Sequence, residues 1–389
     1  SEIECLFVER TKQLLKEGGI AGVILPSSIL SNSGIYTKAR EIILQYFDIV
    51  AITELGSNTF MATNTNTVVL FLRRRDNYFA ANTKSAVETY FRTLNDVTIN
   101  GIETPVSKYV AHVWDGLDYV DYVTLLQKSP NDKVKAHEIY AEYKKKISAK
   151  SDAKLYEAVL SIEVEKLLYF ILAYPQKVVI VRSGEKDVEK RFLGYEFSNR
   201  RGNEGIHAIQ KGKNIDECTQ LFDINSWDNP DKASTYVYRA FKGDCVSPIA
   251  ENMQSHISRM SLVDMLSFER DTFEKFISTT AKKKVKFSDK WEHVRIPNSI
   301  DKINGSMAKI PESEILIAGK YPVYTQDIQN NSAGFSNNTN PITDVPVVLF
   351  GDHSCAVKFI DQPFFRGADG TVLLKPKKKY NPKYYFYAI

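Results

Sequence analysis

Few side chains in this sequence stand where chemistry would need them. His137-Glu138 opens as a zinc-protease helix does, with a ligand and a general base side by side. The second imidazole belongs four residues after the first, and Ala141 stands there. Glu163-Val164-Glu165-Lys166 imitates the acidic-x-Lys signature of restriction nucleases. Leu155, Val159, Ile162, Leu167 and Ile171 around it favour a helix, whereas that signature sits on a strand. Neither a G-x-x-x-x-G-K-[ST] phosphate loop nor a G-x-G-x-x-G fingerprint occurs, so ATPase and dinucleotide readings have no support. Cys5, Cys218, Cys245 and Cys355 lie far apart with no C-x-x-C pair, which argues against a disulfide framework and a structural zinc. They read as reduced thiols, and no metal site is expected.

The last hundred residues carry side chains suited to a different task. Gln326, Asn337, Asn338, His353 and Arg366 stand at turn-rich positions, and reading base edges in the major groove needs such donors and acceptors on loops held by a scaffold. Tyrosines, lysines and the backbone N–H groups of glycine turns suit phosphates, which set register. Lysines cluster at 282–286 and again at 375–379. The net charge of +4 is compatible with nucleic acid without implying it.

These residues need elements to hold them. With 43% hydrophobic and 25% charged residues, 389 residues suffice for two or three packed domains. No apolar run is long enough for a membrane helix and no signal peptide precedes the first element, so a cytoplasmic protein without a membrane partner is expected. Residues 2–16 read as an amphipathic helix through Leu6, Val8, Leu14 and Leu15, stopped by Gly18-Gly19. Ile20 to Leu25 reads as a buried strand ended by Pro26. A helix over 36–47 and strands over 48–55 and 67–72 follow, the later half of an α/β sheet. A helix over 154–172 and a strand over 177–181 are predicted, then a loop or hairpin through 191–206 with aromatics, a basic pair and glycines. Residues 261–286 read as a long amphipathic helix with Leu262, Met265, Leu266, Phe273 and Phe276 near one face, serving as a spacer. Short β-prone runs at 346–350, 355–360 and 371–374 make the end of the chain a strand-rich module.

Within that module four ordered blocks recur: Gly319-Lys320-Tyr321-Pro322-Val323-Tyr324-Thr325-Gln326, Gly334-Phe335-Ser336-Asn337, Val348-Leu349-Phe350-Gly351-Asp352-His353 and Gly367-Ala368-Asp369-Gly370. Residues 291–389 thereby resemble the target-recognition domains of Type I specificity subunits and Type IIG enzymes. The resemblance implies double-stranded DNA as partner. Its DNA-binding residues would be Tyr321, Tyr324, Thr325, Gln326, Phe335, Ser336, Asn337, Asn338, Asp352, His353, Arg366, Lys377 and Lys378. Near the start, Gly22-Val23-Ile24-Leu25-Pro26-Ser27-Ser28-Ile29-Leu30 and Phe60-Met61-Ala62-Thr63-Asn64-Thr65-Asn66-Thr67-Val68-Val69-Leu70 resemble the final strands of N6-adenine DNA methyltransferases. There Phe60 falls where that family packs an aromatic against the flipped-out adenine, a sound role for a ring that meets an unstacked base.

A methyltransferase of this kind also needs a glycine-rich loop for S-adenosylmethionine and an Asn-Pro-Pro-aromatic motif to orient the adenine amino group. Neither occurs; Asn381-Pro382-Lys383-Tyr384 lacks the second proline, and Asp228-Asn229-Pro230-Asp231 and Asn340-Pro341-Ile342 are weaker imitations. Both ends of the chain fall inside apolar patterns, so a piece of a longer protein is expected. Its parent would methylate adenine N6 with S-adenosylmethionine, while the piece binds no cofactor, has no catalytic residue and is inactive alone. The expected fold is α/β and α+β multidomain: the C-terminal part of a Rossmann-like methyltransferase sheet (1–78), a mixed middle region (79–253), a helical spacer (254–288) and the target-recognition domain (289–389). Expected partners are DNA, the methyltransferase half of the parent and a restriction subunit. The alternative is a protein-docking module of a restriction-modification complex that reads no bases.

Overall fold

Alternation within the strands sorts side chains onto two faces, and two helical layers cover them. A computed structural model of the protein describes residues 2–56, 59, 66–149, 151–198, 201–202, 204–280, 296–301, 303, 309–327, 332–351, 354–367 and 370–388. The chain divides into two compact units, Ser1–Lys283 and Lys284–Ile389.

The first unit opens with α1 (Ile3–Leu14), β1 (Ile20–Pro26), α2 (Ile35–Tyr46), β2 (Phe47–Leu55) and β3 (Thr67–Arg74), at the predicted positions. A helical layer follows: α3 (Phe79–Thr93), α4 (Pro105–Val113), α5 (Tyr119–Leu126), α6 (Asp132–Ala136), α7 (Glu138–Lys146) and the long α8 (Asp152–Ala173). Local chemistry starts several of these helices. Asp118 and Asp121 form a reciprocal capping box at α5, and the Asn131 and Ser151 side chains accept from the first turns of α6 and α8. Then come β4 (Lys177–Arg182), α9 (Lys186–Leu193), the hairpin β5 (Tyr195–Ser198) and β6 (Gly205–Ala208), α10 (Ile215–Cys218), α11 (Ala233–Phe241), β7 (Ile257–Ser261) and α12 (Leu262–Met265).

Five strands form one sheet in the order β1-β3-β2-β4-β7. β3 runs antiparallel between β1 and β2, β4 lies parallel to β2, and β7 closes the other edge antiparallel. Ile49, Ile52, Val178 and Ile180 face the layer of α1–α8, whereas Val50, Ala51, Val179 and Val181 face α9 and α11 through Phe192, Ala233, Tyr236 and Val237. Each buried valine or isoleucine contributes about 1.5–3 kcal/mol, so the central strands are held from both sides. On α1 the burial differs from the prediction. Cys5 and Val8 enter the core, while Leu6 and Leu14 stay exposed.

Buried arginines stitch the layers together. Arg40 donates to the carbonyls of Ile29 at 2.9 Å and Glu274 at 2.8 and 3.1 Å. Arg75 pairs with Asp48 at 2.8 Å and donates to the carbonyls of Leu44 and Leu172. Burial pulls both guanidinium groups below their ordinary value, with Glu274 and Asp48 opposing.

The long helix predicted for 261–286 is not what residues 261–280 form. α12 has four residues, and the backbone then runs irregularly, bridging Leu266 to Ile277. Its backbone groups are spent on tertiary partners: Ile277 N donates to Leu30 O, Ser278 N to Met265 O, and Glu274 O accepts from Arg40. Leu266, Phe268, Phe273 and Ile277 are all buried in the first layer's core, so this stretch belongs to that layer and spaces nothing within it. Residues 281–286 lie outside the described set.

The second unit contains α13 (Ile296–Ser299), β8 (Ile300–Asp301), β9 (Lys309–Ile310), β10 (Tyr321–Tyr324), β11 (Gly334–Ser336), β12 (Val347–Gly351), β13 (Val357–Ile360), β14 (Phe365–Gly367), β15 (Thr371–Pro376) and α14 (Pro382–Ala388). Two four-stranded sheets result, β11-β10-β14-β9 and β13-β12-β15-β8, around three small apolar clusters. The protein is thus mixed α/β with several sheets, and the strand-rich character read for its end is present.

Candidate functional site

Parallel strands end their carbonyl rows on one side of a sheet, and crevices form there because neighbouring connections diverge. In the first unit a crevice of about 640 Å³ opens at the ends of β1, β2 and β4 and the start of β3, lined among others by Ser27, Glu54, Asn66, Thr67, Arg182 and Lys186. Arg182 Nε donates to Glu54 Oε2 at 3.0 Å, and Thr279 donates to the other carboxylate oxygen. The backbones of β2 and β4 are tied beyond the ladder, with Ser183 N on Glu54 O at 3.1 Å and Gly56 N on Ser183 Oγ at 3.2 Å. Glu189, buried on α9, lies so close to Gly56 that a Cβ there would stand 2.6 Å from its carboxylate, and it accepts from Thr59 Oγ1 at 3.1 Å. Thr67 Oγ1 is buried without a hydrogen-bond partner among the described residues. Part of the wall is therefore polar and held in place, offering a ligand both donors and acceptors. Phe60, predicted to stack on such a ligand, lies outside the described residues.

S-adenosylmethionine does not fit these residues. Among the described residues the turn after β4 carries the lone Gly184 rather than the glycine-rich loop that enzymes using this phosphate-free sulfonium ligand carry.

In the second unit the predicted DNA-binding residues separate into groups. Tyr324 pairs with Arg366 across β10 and β14, and Gly351 pairs with Thr371 across β12 and β15. One end of the sheets thereby collects Thr325, Gln326, Arg366 and the residues just before Asp352 and His353, which themselves lie outside the described set. Glycine is required there by close approach. A Cβ on Gly351 would come 2.8 Å from Gln326 Cβ, and one on Gly367 would come 2.7 Å from Thr325 Cγ2. At the start of β10, Tyr321 pairs with Ser336, and Asn337 Oδ1 accepts from Lys320 N at 2.9 Å beside Phe335 and exposed Asn338. Lys377 and exposed Lys378 follow Pro376, at the far end of β15 from Thr371.

Several of these side chains are committed inward. Tyr324 is buried edge-on against Phe364, Ser336 is buried, and Arg366 donates to Thr371 Oγ1 and O at 3.1 and 2.9 Å. Tyr321 is half-buried against Phe365. They set the scaffold, whereas Asn338 and Lys378 face solvent.

Burial accounts for one motif imitation and helix capping for the other. Glu163 and Lys166 lie on α8 with no exposed surface. Tyr109, Tyr122 and Trp114 donate to Glu163 Oε2 at 2.8, 2.8 and 3.3 Å, Tyr143 donates to Oε1 at 2.5 Å, and Lys166 Nζ donates to Tyr143 at 2.7 Å. No metal or water-borne substrate reaches such a group, so the pair is architectural. His137 caps α7, its Nδ1 accepting from Ile139 N. Sequence reasoning missed this cluster. Its signal was a Glu and a Lys three apart on an otherwise apolar helix, with hydroxyl-bearing aromatics among the apolar positions upstream. Among the described residues there is no group of three metal-ligating side chains and no helix long and apolar enough to cross a membrane.

A family model described as N-6 DNA Methylase matches residues 1–150, which span α1 to α7 and three of the four strands bordering the crevice. No curated protein matches. Among solved structures, a chain of a type I R-M system, solved in work on its complex assembly and conformational transition, is 24% identical over 18% of this chain, with a TM-score of 0.18. The protein spans 15% of the length of that solved chain.

Proposed function

We propose that this chain serves DNA restriction-modification: its first unit supplies the base-side wall of an adenine-N6 methyltransferase, and its second unit reads DNA sequence. The observation that carries this is the coincidence of the N-6 DNA Methylase match with the strands whose ends form the polar crevice. A volume of about 640 Å³ lies within the range that accepts a purine-sized ligand. A base taken out of the duplex would lie across this wall, with Phe60 stacking on it from the β2–β3 connection. Asn-Pro-Pro-aromatic and glycine-rich motifs are absent from the sequence, so the chain should not transfer a methyl group unaided, and S-adenosylmethionine belongs to the parent activity. In the second unit the base-reading set is Thr325, Gln326, Phe335, Asn337, Asn338, Asp352 and His353, with Lys377 and Lys378 on phosphates and the inward-held Tyr321, Tyr324, Ser336 and Arg366 as their support.

Radiolabelled S-adenosylmethionine and mixed-sequence duplex test the division: no label should enter DNA with this chain alone, and clear turnover refutes it. Duplex binding should weaken steeply with salt. Phe60→Ala in an active parent should abolish the 2-aminopurine fluorescence rise that reports an extruded base; an unchanged rise removes Phe60 from the site.

One observation favours a second reading, a docking module that reads no bases. Ile3, Leu6, Phe7 and Leu14 on α1 are more than half exposed, as are Ile20 and Ile24 on the edge strand β1. Mobility shifts against a random duplex library separate the two, since a docking module selects no sequence.

A further inference from the structure

Tryptophan is on average among the most buried residue types, and the loop before α11 holds one out in solvent. Trp227 is 81% exposed and Tyr238 40%, whereas Trp114 is fully buried. The Trp227 and Tyr238 rings stand beside each other, with centroids 6.4 Å apart and planes 34° apart. Lys242, exposed and one helical turn beyond Tyr238, carries its ammonium 5.6 Å from the Tyr238 ring centroid. Two open rings and a cation therefore adjoin one another in a row.

The backbone that carries Trp227 is fixed on both sides. Before it, the Asp223 carboxylate accepts from Asn225 N at 2.8 Å and from Asn229 Nδ2 at 2.7 Å, which closes the loop on itself. After it, Thr235 Oγ1 donates to Asn229 O at 2.6 Å and the Tyr236 hydroxyl donates to Pro230 O at 2.8 Å. Thr235 and Tyr236 are buried on α11, and Tyr236 packs with Val179 and Val181 in the core of the sheet, so the loop is fastened to a rigid layer. Arg239 Nε and Nη2 reach Asp228 Oδ1 at 2.8 and 2.7 Å, which neutralises the carboxylate that follows the tryptophan. Burial of apolar surface is what stabilises a fold, and an indole held in water by a tied loop contributes little of it.

We propose that Trp227 and Tyr238 form a stacking platform for unpaired bases of single-stranded DNA, with Lys242 on an adjoining phosphate. An aromatic face returns the stacking that a base loses outside the duplex, and a neighbouring cation meets the backbone; sequence-tolerant binding of single strands needs those two parts together. A contact with another protein would cover the same rings, but lysine is depleted from the cores of such interfaces, and here the ammonium lies at the ring itself. The choice of DNA rests on the reading that the chain serves restriction-modification. None of the three residues lines the crevice, so the platform and that reading can fail separately.

The test measures anisotropy of a labelled thymidine oligonucleotide about ten nucleotides long, within the span of known single-strand sites, titrated with the full chain. Trp227→Ala should weaken binding about tenfold, and Trp227→Phe, which keeps a ring, should stay within about threefold of the unmutated chain. Lys242→Gln should lower the slope of log affinity against log salt by about 0.7, the share of one phosphate on a single strand. All three changes fall on exposed side chains, and melting curves serve as the folding control. Equal affinity of Trp227→Ala and the unmutated chain overturns the platform. An unmutated chain that binds duplex but not the oligonucleotide overturns it as well and leaves the proposed function standing, whereas one that binds neither overturns both. Self-association in sedimentation that Trp227→Ala abolishes, with oligonucleotide affinity unchanged, assigns the rings to a protein contact and refutes the proposal.

Discussion

Replacing Glu163 by alanine should collapse the helical layer of the first unit. Its carboxylate accepts from Tyr109 on α4, Trp114 just after it, Tyr122 on α5 and Tyr143 on α7, so one side chain on α8 holds three other helices. Deletion leaves four buried donors without an acceptor, at about 1–3 kcal/mol each. It also leaves the Lys166 ammonium buried without its counter-charge, about 3–5 kcal/mol more. Even the low ends give about 7 kcal/mol, comparable with the whole stability of an ordinary domain. Tyr122→Phe removes one donor and leaves the carboxylate three, so it should cost only about 1–2 kcal/mol. Thermal unfolding followed by circular dichroism and tryptophan fluorescence reads both variants. At about 2 °C per kcal/mol for a unit of this size, Glu163→Ala should melt at least about 14 °C lower, if it folds at all. A melting point within a few degrees of the unmutated chain's would refute the claim that this cluster ties the layer together.

The same cluster sets an alkaline limit. Burial raises the phenols of Tyr109, Tyr122 and Tyr143 well above their ordinary 10.0. Between that value and their folded values the unfolded chain sheds protons that the folded chain keeps, so stability is complete below pH 10 and falls above it. Three such groups give about 4 kcal/mol per pH unit. Burial lowers Lys166 and works in the opposite direction up to its ordinary 10.5, Arg40 opposes beyond that, and Tyr90, Tyr140 and Tyr169 are raised too, so the cluster's share at pH 10.5 to 11.5 is read by comparing melting curves of the unmutated chain with those of Tyr122→Phe. Arg40→Met leaves the carbonyls of Ile29 and Glu274 without their buried donors and should cost about 2–5 kcal/mol, seen as faster protease cleavage within 266–280. Gly351→Ala brings a methyl to within 2.8 Å of Gln326 Cβ and should cost about 1–3 kcal/mol in the second unit while leaving the melting of the first unchanged.

Regular elements with a strong local period were legible in the sequence. The β1–α2–β2–β3 run, α8, β4 and the three long strands of the second unit fell where apolar spacing and turn residues put them, because local sterics and one-sided burial suffice to specify them. The glycines of the four terminal blocks were visible as a pattern, but close approaches such as that of Gly351 to Gln326 and Gly367 to Thr325 come from strands paired far apart in sequence. Residues 261–280 show helical spacing yet form no long helix, since Arg40, Leu30 and Met265 claim their backbone groups. That competition is tertiary and leaves no local trace.

Chemistry followed the same division. Sequence alone established which motifs are absent and the balance of charge, because those depend on residue identity. Only the folded chain decided that Glu163 and Lys166 are sealed among tyrosines, that Tyr324 and Ser336 are buried, and that Glu54, Arg182 and Thr67 converge on one crevice. Burial and convergence are properties of contacts between distant segments. A side chain's type limits what it can do, and its neighbours in the fold determine which of those things it does.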